Sequence, residues 1–168
     1  MWHWVAESLE VRRARKAAVA TISPIVEHSR RTLGGISETV WSDPYIIGFI
    51  LMLISVVAKL ESQGISENAL SRIQRKAWND ITSAPGSAAA EQLVLLNSLR
   101  NRDFELGCQN AAAFSSILFG TAILLEGGRP PIPDVISESA STQREDVNLA
   151  WVQFFDVQIW SRSGVQST

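Results

Sequence analysis

Fourteen consecutive residues, Tyr45–Ala58 (YIIGFILMLISVVA), carry no charge and are apolar on every side of any helix they form. A helix that is hydrophobic all round is excluded from water, so it lies either at the centre of a packed domain or in a bilayer. At 1.5 Å per residue the run covers roughly 21 Å, well short of the ~30 Å hydrocarbon core of a membrane. Burial inside a helical domain is therefore expected. The chain has 168 residues, 46% hydrophobic and 19% charged, enough for one domain with its own core over residues 1–168.

The punctuation around the apolar run is helical. Residues 1–35 form an N-terminal amphipathic segment: a helix over Val5–Ala20, then Ser23-Pro24 as N-cap and first-turn proline of a second piece ending at Gly34-Gly35. A single kinked helix is the alternative. Ser42-Asp43-Pro44 gives a start signal before the apolar run, and Gly64 gives a stop after it. Ser66 caps a surface helix in which Leu70, Ile73, Ala77 and Ile81 recur at helical spacing. Ser83–Ser87 breaks the chain, and Ser87 caps an Ala-rich helix whose Leu93, Leu96 and Leu99 are expected to face inward. After a pause at Arg100–Asp103, a long helix is predicted from Phe104 to Glu126, stopped by Gly127-Gly128.

Residues 127–141 then form a Pro/Gly/Ser-rich crossing loop, because GGRPPIPD cannot be helical through its prolines. Thr142 and Glu145 make a capping box for a last helix with Val147, Trp151, Phe155 and Ile159 along one face. The aromatic and β-branched content of Val152–Trp160 also suits a strand, though no second strand offers it a partner.

These elements predict an all-α, single-domain helical bundle of five to seven helices around a central apolar helix pair. On the second member of the pair, Cys108, Ala112, Ser116 and Gly120 recur every four residues, a ridge of small side chains that lets two helix backbones approach closely. Gly48 and Ser55 on the first are its natural partners. The same features allow a small membrane-associated protein using apolar helices 45–58 and 111–125, with Trp41 and Tyr45 as interfacial anchors. Gln109, Asn110, Ser115 and Ser116 weigh against that reading.

Little in the chain speaks for chemistry. Its two histidines, His3 and His28, belong to no metal-ligand spacing, so no metal site and no cofactor are expected. Cys108, the one cysteine, has no base beside it and reads as a packing residue. Phosphate-loop, nucleophile-elbow and dinucleotide-binding motifs are all missing, Gly127-Gly128-Arg129 is explained by a helix stop, and Asp103 and Glu105 read as helix-end charges. No catalytic residue is expected, with a helical enzyme or a carrier of an apolar ligand kept as the alternative.

A formal net charge of -2 supplies no global field toward nucleic acid or anionic lipid. The charge is local: Arg12, Arg13, Arg15 and Lys16 cluster behind Trp2 and Trp4, too short a patch and too poor in interleaved aromatics for specific nucleic-acid binding. Tryptophan and arginine are the residues that most often dominate protein interfaces, so these six form the candidate partner surface. A single thiol and the lack of a secretory pattern at the N-terminus fit a cytoplasmic protein. The expected role is a non-catalytic helical protein-interaction or regulatory module, working with a protein partner or as a homo-oligomer.

Overall fold

The computed structural model describes the backbone of residues 2–120 and 138–163 and the side chains of residues 8–120 and 144–162. Among the described residues the chain is an all-α bundle without strands. α1 (Trp2–Thr32) leads through a 3₁₀ turn (Glu38–Ser42) into α2 (Pro44–Glu61). α3 (Glu67–Thr82), α4 (Gly86–Ser98) and α5 (Arg102–Phe119) follow. The C-terminal helix is continuous: α6 (Glu138–Trp151), a π turn (Val152–Asp156) and α7 (Val157–Ser163).

α2 is the enclosed element. Asp43 caps it, its carboxylate accepting from the backbone N–H of Tyr45 (2.9 Å) and Ile46 (3.4 Å), with Pro44 in the first turn. Ile46, Phe49, Ile50, Leu53, Ile54 and Ala58 are fully buried, and within the apolar run only Met52 and Val56, on one edge, are partly exposed. By length and composition α2 is also long and apolar enough to cross a membrane, yet 67% of it is buried against its neighbours.

α2 and α5 pack side by side with their N-termini at the same end, where Arg162 pairs with Asp43 and lies 3.6 Å from Asp103, and they meet through a reciprocal pair of glycines. A Cβ on Gly48 would strike the carbonyl oxygen of Phe104, and one on Gly107 would strike the carbonyl oxygen of Tyr45 and come within 3.0 Å of the Phe49 amide nitrogen. The backbones touch there because neither residue has a side chain. Above the crossing, Phe49, Phe114, Trp151 and Phe155 form one aromatic cluster, with ring centroids 4.5 Å apart for Trp151–Phe155 and 5.3 Å for Phe114–Trp151. The cluster joins α2, α5 and the C-terminal helix.

Several boundaries differ from the sequence reading. α1 runs unbroken through Pro24, so the two-piece reading is corrected to the single-helix alternative. An interior proline costs about 3 kcal/mol, but the buried stripe Val11, Ala14, Ala18, Ile22, Val26 and Ser29 continues across it and holds both halves on one face. Ser23 is not a cap: its hydroxyl is buried without a hydrogen-bond partner among the described residues. α4 starts at Gly86 rather than after a Ser87 cap, drawn in by the close approach of Gly86 to the Arg75 carbonyl, where no Cβ fits. Of the three leucines expected to face inward, Leu96 is buried, Leu93 is half-buried and Leu99, the residue after the helix, points to solvent.

α5 stops at Phe119, and Gly120 after it has a φ of 77°, in the left-handed region that glycine tolerates, so the helix expected from Phe104 to Glu126 is broken there. α5 is also one-sided, exposing Leu106, Ala112 and Ile117, whereas α2 is buried on all but the edge carrying Met52 and Val56. Residues 121–125 of the second apolar segment and 127–137 of the crossing loop lie outside the described residues. Residues 138–141 are already helical, which places Thr142 a turn inside α6 rather than at its cap. No proline or glycine separates Glu138 from Thr142, so nothing stops the helix from extending past a local capping preference worth about 1 kcal/mol. Val152–Trp160 is helical, and the strand alternative falls.

The π turn carries the amide of Val157 to the carbonyl of Val152, a five-residue step. Its effect follows from helix geometry. At about 100° per residue, Val147, Trp151, Phe155 and Ile159 would spread over roughly 120° of an ordinary α-helix. One extra residue in the turn shrinks that to roughly 60°, and Trp151, Phe155 and Ile159 are accordingly all buried, with Val147 packed beside them.

Candidate functional site

The N-terminal basic residues divide into two pairs. Arg13 reaches across to Glu61 at the end of α2, and Arg15 makes a two-toothed ion pair with Asp80 on α3, at 2.7 and 2.9 Å. These two side chains fasten α1 to the bundle. Arg12 and Lys16 are exposed on the outer face of α1, one and two turns beyond exposed Leu9. The side chains of Trp2 and Trp4 lie outside the described residues. Two of the four cations thus hold carboxylates at the surface, Arg13 with its side chain still 65% exposed.

The proposed ridge is also divided. Cys108 does meet α2, its Sγ 3.5 Å from the Gly48 carbonyl. Ala112 is exposed, Ser116 turns its hydroxyl onto its own helix (Ala112 carbonyl, 3.1 Å), and among the described residues nothing lies within 4 Å of a Cβ placed on Gly120. Close approach is made by Gly107 instead, with Phe104, Ala111 and Phe114 along the same face. A strict four-residue repeat drifts by about 40° per step around an α-helix, so a ridge drawn at every fourth residue leaves the contact face within two steps. Ser55 faces α3, accepting from the Gln74 amide at 2.8 Å. Burial, with Glu105 adding, pushes the Cys108 thiol up to about 11, which keeps it protonated and a poor nucleophile.

A polar node that the sequence reading missed ties α1 to the π turn. Ser29 is fully buried, donates to the Asp156 carboxylate at 2.5 Å, and accepts from the Trp151 indole N–H at 2.7 Å. Burial pushes the Asp156 carboxyl above the usual carboxylate range, opposed by the Ser29 hydrogen bond, the nearby His28 and Trp151. With Ser29 sealed from solvent, this serine–carboxylate pair has no access for a substrate and acts as an internal latch. The signal for it was present: Asp156 is the one charged residue between Asp146 and Arg162.

A second latch holds the other side of the π turn. The Tyr45 hydroxyl donates to the Phe154 carbonyl (2.6 Å), which lies inside the turn, and accepts from the Asn110 amide (2.9 Å). Arg162 lies over the Tyr45 ring, 5.1 Å from its centroid, and grips both oxygens of Asp43 at 3.0 and 2.8 Å. The C-terminal helix is thereby pinned to α1, α2 and α5 together.

A cleft of about 720 Å³ opens between the 3₁₀ turn, the end of α3 and the start of α4. Trp41 and Trp78 meet edge-on behind it, and Ile36, Ala84, Pro85 and Ala89 supply apolar wall. Arg30 sits at one end, but its guanidinium is already engaged with Glu27 and with the Ile81 and Thr82 carbonyls (3.3 and 2.9 Å). The cleft lies away from the α2–α5 contact, where an apolar ligand had been an alternative; that contact is close-packed at the two glycines. Among the described residues no three of His, Cys, Asp and Glu converge to hold a metal ion.

The largest solvent-facing apolar feature on the C-terminal helix is on the side opposite its core face. Leu149 is 60% exposed, Val152 42%, Val157 48% and Trp160 77%. In an ordinary α-helix these four would spread over roughly 140°; the extra residue of the π turn gathers them into roughly 80°. The same turn that aligns the buried aromatics therefore aligns an outer stripe. No family model, no curated protein and no solved structure matches this chain.

Proposed function

We propose that this protein is a non-catalytic helical interaction module that docks through the outer stripe of its C-terminal helix. One observation carries the reading: a helix with its inner face in the core presents a second apolar line, ending in a tryptophan more than three-quarters exposed. A helix apolar on both faces belongs in contact on both faces, and exposed apolar patches of a few hundred Å² mark binding surfaces. The helix is held rigidly by the Ser29–Asp156 and Tyr45–Phe154 latches, which limits the ordering cost of docking. Arg12, Lys16 and Leu9 on α1 form a smaller accessory surface.

The test compares the full chain with its Trp160→Ser and Leu149→Ser variants as bait against cell extract, with circular dichroism as a check on folding. Both variants should keep the helical spectrum and lose the bound protein. Unchanged recovery by both variants would remove the stripe from the interaction.

A further inference from the structure

We propose that the occupant of the stripe is a second copy of this chain, packed antiparallel about a two-fold axis passing between residues 154 and 155. This rests on the stripe being a docking surface and names its partner. The spacing is the first argument. Leu149 to Val152 is three residues, Val152 to Val157 five, and Val157 to Trp160 three, the same read from either end. An antiparallel copy in that register sets Leu149 against Trp160 of the partner subunit and Val152 against Val157 of the partner subunit, and the two-fold repeats both contacts. Such self-matching is what an isologous interface requires, where residue i meets j and j meets i.

Charge is the second argument. In a chain with 19% charged residues, the stretch 147–161 holds only Asp156, and that carboxylate is buried against Ser29. The outward side chains of this stretch are Asn148, Leu149, Val152, Gln153, Val157, Trp160 and Ser161. A neutral face meets its own copy without like-charge repulsion and offers a charged partner nothing to steer by. Area is the third. Four side chains of this exposure amount to a few hundred Å² per copy, below the ~800 Å² per partner of a standard stable complex. The dimer is therefore weak, reversible and concentration-dependent.

Sedimentation velocity of the full-length protein, from about 5 to about 500 µM, spans the range in which a contact of this area assembles. The average mass should climb toward twice the monomer, and Trp160→Ser and Leu149→Ser should each weaken association by tenfold or more. Register is tested separately in a Cys108→Ala background. Facing helices 8–10 Å apart bring opposed Cα atoms within about 4–6 Å, which a disulfide spans. Mixing Val152→Cys with Val157→Cys chains should give an inter-chain disulfide on mild oxidation, whereas either chain alone should give little, its own cysteines being offset by roughly 7 Å along the axis. A wild-type chain that stays monomeric throughout overturns the proposal, as does a dimer cross-linked best by Val152→Cys alone. If the chain is monomeric while Trp160→Ser still loses a bound protein from extract, self-pairing fails and the docking reading survives; if neither measurement responds, both fail.

Discussion

Asp156 is buried at the cost of holding a carboxylate away from water, and its partners decide how that cost varies with pH. Its folded-state carboxyl is raised above the ordinary value by burial. The folded chain therefore binds this proton more tightly than the unfolded chain, so the site's contribution is favourable below the ordinary carboxylate value and is lost as pH rises through the folded one. Asp156→Asn keeps an oxygen for the Ser29 hydroxyl and removes the charge. Chemical denaturation across pH 3 to 8 should show the variant gaining stability relative to wild type as pH rises through that window. A constant difference between the two would mean that burial does not govern the site. Ser29 itself was hidden in the sequence for a physical reason. A serine on the buried stripe of α1 looks like any small residue until the helix 122 positions later brings a carboxylate and an indole N–H to it.

The helices themselves were legible where one physical term dominated. The all-round apolarity of Tyr45–Ala58, with Asp43 and Pro44 before it, specified α2 almost to its ends. Local signals failed where tertiary contact outweighed them: the buried stripe carries α1 through Pro24, and the Arg75 carbonyl sets the start of α4. The small-residue ridge came close, placing Cys108 and Gly48 at the crossing, but the backbone contact belongs to Gly107, one position away from the ridge and so about 100° around the helix. Gly107→Ala should overpack this contact and lower stability by about 1 to 3 kcal/mol, more than the ~1 kcal/mol alanine returns in helix propensity. Ala112→Leu, on the exposed side, should change stability by less than about 0.5 kcal/mol. Denaturant midpoints compare the two, and equal midpoints would mean that α2 and α5 do not meet as described. The π turn had no sequence signal available beforehand, since it appears only when the core face and the outer stripe are both required to line up.

As a whole, the bundle is organised around one helix that water must not reach. α1, α3 and α5 cover α2, the aromatic cluster adds the C-terminal helix, and the Arg13–Glu61 and Arg15–Asp80 pairs fasten the outer helices at the surface, where such pairs each contribute at most about 1 kcal/mol. Burial of α2, rather than these ion pairs, therefore carries the fold. A protected interior helix exchanges its amide hydrogens only when the whole domain opens, while helices at the edge open locally. The decisive measurement is hydrogen–deuterium exchange by mass spectrometry on the full-length chain in detergent-free buffer. Residues 46–57 should exchange most slowly, at the rate of global unfolding, with α4 exchanging well ahead of them. Rapid exchange across 46–57 in that buffer, with protection gained only when detergent is added, would contradict the fold described here and place α2 in a lipid-like environment.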